Sequence, residues 1–100
     1  MASFGEEVST ALACKELLEA LAAVEHERWS HWQSYLHSRC IAGDDGSLTI
    51  PAKLVERWST QLSTPYDELS EVEKESDRDQ VRKTLEVLRA FLLDFRGASS

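Results

Sequence analysis

With 100 residues, 42% hydrophobic and 29% charged, the chain has material for one compact domain with a core, which excludes a multidomain architecture and argues against a disordered chain. Four Gly and two Pro are too few for a turn-rich sandwich or barrel, so the Ala, Leu, Glu, Lys and Arg content predicts a mainly α fold. A net charge of −7 repels a polyphosphate backbone and argues against a nucleic-acid polymer as partner.

Ser3 followed by Glu6 reads as a capping box at a helix start. From there Leu12, Leu18, Leu21, Trp29, Trp32 and Leu36 recur near the 3.6-residue period as far as about Ser38, which predicts one long helix or two in line. Lys15, Glu16 and Glu19 interrupt the Ala/Leu stretch from Ala11 to Val24, so it is neither a secretory leader nor a membrane span. Gly43-Asp44-Asp45-Gly46 is a turn, and Ser47 to Ile50 is extended because Ile50 precedes a proline. Pro51 suits the first turn of a helix whose Leu54, Val55, Trp58 and Leu62 form a short apolar stripe ending near Ser63. Thr64-Pro65 begins a tight turn through Leu69, and Ser70 with Glu73 makes a second capping box. The final helix carries Val81, Leu85, Leu88, Leu92 and Phe95 at alternating steps of three and four, a packing seam, until Gly97 ends it. Phe91 and Leu93 widen that seam beyond what one neighbour covers, so a homo-oligomer is expected, unless the N-terminal helix covers both. The expected architecture is a small single-domain helical bundle of three to four helices with a short irregular or extended connection.

All three His and all three Trp lie within residues 25–62, where the net charge is only −1. Glu25 follows the apolar stripe onto the core-facing side, with Arg28 at its edge, and a carboxylate there needs a partner: Arg28 or Arg78. That pair either fixes helix register or contributes to a ligand site. Trp29 and Trp32, three apart, share a face that serves either as an aromatic wall for a planar base or as core filling. Tyr66, beside a proline in an irregular turn, is the aromatic most open to solvent.

Other signals fail on geometry. His26-Glu27 is followed by a second histidine at position 31, five residues on rather than the four that a shared zinc requires. His37 and Cys40 find no third and fourth ligand. The Asp44-Asp45-Gly46 segment lacks both end ligands of a calcium loop. With no phosphate-cradling loop and no nucleophile elbow, neither metal, cofactor nor catalysis is expected. Cys14 and Cys40 read as free thiols of a soluble cytoplasmic protein.

Glu25-His26-Glu27-Arg28-Trp29, followed by the run from Pro65-Tyr66-Asp67-Glu68-Leu69 through Ser70, Glu73, Lys74 and Asp77-Arg78, resembles the ryanodine receptor repeat domain, or RyR domain. The likeness spans about residues 21–88. This chain departs from the receptor repeats between Ile50 and Ser63, which reads as an extra helix. The family fold, a compact pair of helices with irregular connections, agrees with the reading of the two ends. The resemblance implies non-catalytic binding of a small nucleotide-derived signalling molecule, and for a chain with no output module it implies a phage sponge that sequesters an immune messenger. Carried over by position, Trp29 stacks on a base, His26 hydrogen-bonds base or sugar, Arg78 meets a phosphate or holds Glu25, and Tyr66 closes one side. Helix spacing adds Trp32. The alternative function is a protein-interaction module working through the C-terminal helix.

Overall fold

Short polar side chains open the first and last helices of this chain. In the computed structural model, which describes residues 2–98 and side chains through Phe95, Ser3 Oγ accepts from the Glu6 N–H at 3.1 Å and opens α1, Phe4–Leu12. The first helical stretch is two helices rather than one: α1 closes at Ala13, and α2 runs from Lys15 to Arg39. The Cys14 N–H turns back to the Ala11 carbonyl at 3.2 Å while the Cys14 carbonyl already accepts from Leu18 at 3.1 Å. The break thus satisfies its own backbone groups without Gly or Pro. At the same junction the Cys14 thiol donates to Glu16 at 2.6 Å and holds that carboxyl below its usual range. After the hairpin strands β1, Ile41–Ala42, and β2, Leu48–Thr49, come α3, Ala52–Leu62, a single 3-10 turn, Tyr66–Glu68, and α4, Glu71–Ala98. The fold is therefore mainly α, as composition predicts. Helix α4 runs on through Gly97, because one glycine near a helix end costs only about 1 kcal/mol and need not stop it.

Contacts group the chain into two units, one from the segments up to Arg28 and from Arg78 onward, the other Trp29–Asp77. In the first, Ala11, Leu17 and Val24 are buried. The inward face of α2 therefore runs Leu17, Leu21, Val24, Arg28, one residue out of step with the stripe expected from Leu18. A one-residue step turns the face by about 100°. It leaves Leu18 exposed and puts Glu25 in solvent, so Glu25 is not core-facing. On α4 the expected seam holds toward its end, where Leu88, Leu92 and Phe95 are partly covered together with Thr84, Val87 and Phe91, whereas Val81 and Leu85 are more than half exposed. Polar Thr84 belongs on the covered side because Arg28 is there to meet it.

In the second unit β1 and β2 pair antiparallel, Ile41 opposite Thr49 and Ala42 opposite Leu48. The Gly46 N–H bonds the Gly43 carbonyl at 3.3 Å, and Gly46 itself lies at φ +86°, which is a turn followed by a left-handed residue of the kind that closes three-residue hairpin loops. Asp45 accepts from the Ser47 N–H at 3.0 Å, and this bond with the Ser47 hydroxyl keeps its carboxyl below the usual range. Strand β2 was legible; β1 was not, being two exposed residues without alternation. Pro51 caps α3 rather than entering it, its carbonyl accepting from Leu54 and Val55 at 2.9 and 3.1 Å. On α3 only Leu54 is buried and Trp58 half-buried; Val55 and Leu62 of the expected stripe face outward. The Ser70 and Glu73 box forms in both directions: the Glu73 N–H donates to Ser70 Oγ at 3.2 Å and the Ser70 N–H to Glu73 Oε1 at 3.3 Å.

Candidate ligand-binding face

Helix α2 carries Trp29, Trp32 and Tyr35 at steps of three. Trp32 packs edge-on against Trp58 of α3, ring centroids 5.5 Å apart at 65°, and lies tilted on Tyr35 at 5.7 Å. Tyr35 and Trp58 close the triangle at 6.5 Å. These separations leave no room for a cation between the rings, so the cluster is filled rather than a cage, and edge-on packing holds each ring at a fixed tilt. Its outer side is open. Trp29 is 59% exposed and Trp32 45%, so neither indole is a fully buried core residue, while Trp32 also packs between α2 and α3 against Tyr35 and Trp58. Wide exposure of two neighbouring indoles forgoes the large burial gain of that side chain. Tyr35 and Trp58 are the members that sequence reasoning did not assign to a site. The step from Trp32 to Tyr35 was a usable signal, while the approach of Trp58 depends on the tertiary fold.

Glu25 pairs with Arg28 at 2.6 Å, not with Arg78. Arg28 reaches in the other direction too, donating to Thr84 Oγ1 at 3.0 Å and to the Gln80 carbonyl at 3.3 Å, while its buried Nε has no protein acceptor. Three directed bonds from one guanidinium make a clamp between α2 and α4 within the first unit. The pair is open to solvent on the Glu25 side, so the expected buried ion pair is instead an exposed carboxylate orienting a half-buried cation. His26 is exposed, and Arg78 is half-buried on α4. Tyr66 is exposed, but Trp29 and Phe4 are more so and it is not the most open aromatic; the Lys74 ammonium lies 5.9 Å from its ring centre, and Lys74 is itself held 3.8 Å from Glu71. Trp29, Trp32 and Tyr66 thus belong to the second unit, and Glu25, His26 and Arg78 to the first.

An open hollow in the second unit is lined by Lys53, Arg57, Thr60, Glu68 and Glu73 among others. Its cations are matched by carboxylates, and the α4 start that faces it is already capped by Ser70, so it offers an anion no excess field. Among the described residues no three His, Cys, Asp or Glu side chains are grouped to hold a metal ion, and no helix is long and apolar enough to cross a membrane. Comparison of the chain with protein-family models, with curated proteins and with solved structures returns no match.

Proposed function

We propose that the chain is a RyR-like binding protein that takes up a small nucleotide-derived signalling molecule without chemical turnover, and that it serves as a phage sponge for an immune messenger. One observation carries the reading: Trp29 and Trp32 present exposed indoles on consecutive turns of α2, and Trp32 is braced from behind by Tyr35 and Trp58. A fixed, solvent-facing aromatic surface suits the face of a planar base, and stacking of this kind contributes about 1–3 kcal/mol per base. The resemblance supplies the remaining roles, with His26 on base or sugar, Arg78 on phosphate or near Glu25, and Tyr66 at one side. One or two cations suffice for a mononucleotide or cyclic dinucleotide even where the whole chain is acidic.

A thermal-shift screen of the full chain against cyclic dinucleotides, cyclic oligonucleotides and ADP-ribose derivatives tests the proposal. A ligand at a hundred times its dissociation constant stabilises the fold by about 2.7 kcal/mol, a shift of several degrees at this size. Chromatography of the released ligand is expected to return it unaltered. No shift across the panel at saturating concentration overturns the reading.

A further inference from the structure

We draw no further inference here: the strongest candidate, the open apolar groove between α1 and α4 in the first unit, lined by Phe4, Ala11, Leu85, Leu88, Leu92 and Leu93, carries none because nothing in the structure shows what covers it.

Discussion

A guanidinium turned toward a helix interface needs acceptors for its N–H groups, and the two Nη atoms of Arg28 find them in Glu25, Thr84 and the Gln80 carbonyl, whereas the buried Nε does not. Arg28→Lys keeps the charge but loses the fork, and is expected to cost about 1–2 kcal/mol in urea unfolding. Thr84→Val, close in shape, is expected to cost about 1 kcal/mol, and the two together less than their sum because they share one bond. The clamp was half legible. Arg28 was placed at the edge of the apolar stripe and Glu25 was given it as one of two partners, but Leu17 and Leu18 are equally apolar, and nothing in an Ala/Leu-rich stretch says which of them leads the buried face. That one-residue ambiguity separates a core-facing Glu25 from the observed arrangement, in which Val24 is buried and Glu25 exposed. The indoles were identified as a shared face; their exposure depends on what the tertiary fold leaves uncovered.

At the scale of elements, local chemistry was the most readable part of the chain. The Ser70 and Glu73 box, the Gly46 turn and the Pro51 start all formed because each uses residues within four positions of one another, whereas the Cys14 break and strand β1 have no such marker. Ser70→Ala removes the acceptor for the Glu73 N–H and is expected to lower stability by about 1 kcal/mol. Gly46→Ala forces a Cβ into the left-handed region, since φ is +86° and the space around it is open, and is expected to cost about 1 kcal/mol through backbone strain alone. Asp45 and Glu16 both sit below their usual range because Ser47 and Cys14 donate to the ionised carboxylates. A lowered carboxyl stabilises the fold above its unfolded pKa and stops doing so as pH falls through the folded value. The melting temperature is therefore expected to stay level from neutral pH down to about pH 5 and to fall below the ordinary carboxylate range, with part of the fall absent in Asp45→Asn.

For the molecule as a whole, two surfaces stand outside the core: the indole face of α2 in one unit and the apolar groove between α1 and α4 in the other. The groove is the part of the α4 seam, legible as a three-and-four pattern, that α1 leaves uncovered. At its start Val81 and Leu85 face outward while Thr84 meets Arg28, which no periodicity in α4 by itself records. The indole face carries the functional claim, and calorimetric titration of the wild-type chain beside Trp29→Ala and Trp32→Ala with cyclic dinucleotides and ADP-ribose derivatives tests it most directly. Saturable heat is expected from the wild type for one ligand class, weakened at least fivefold by either substitution, as loss of a stacking contact of about 1–3 kcal/mol requires. Wild-type titrations without heat for every ligand, or equal affinity in all three proteins, would contradict it.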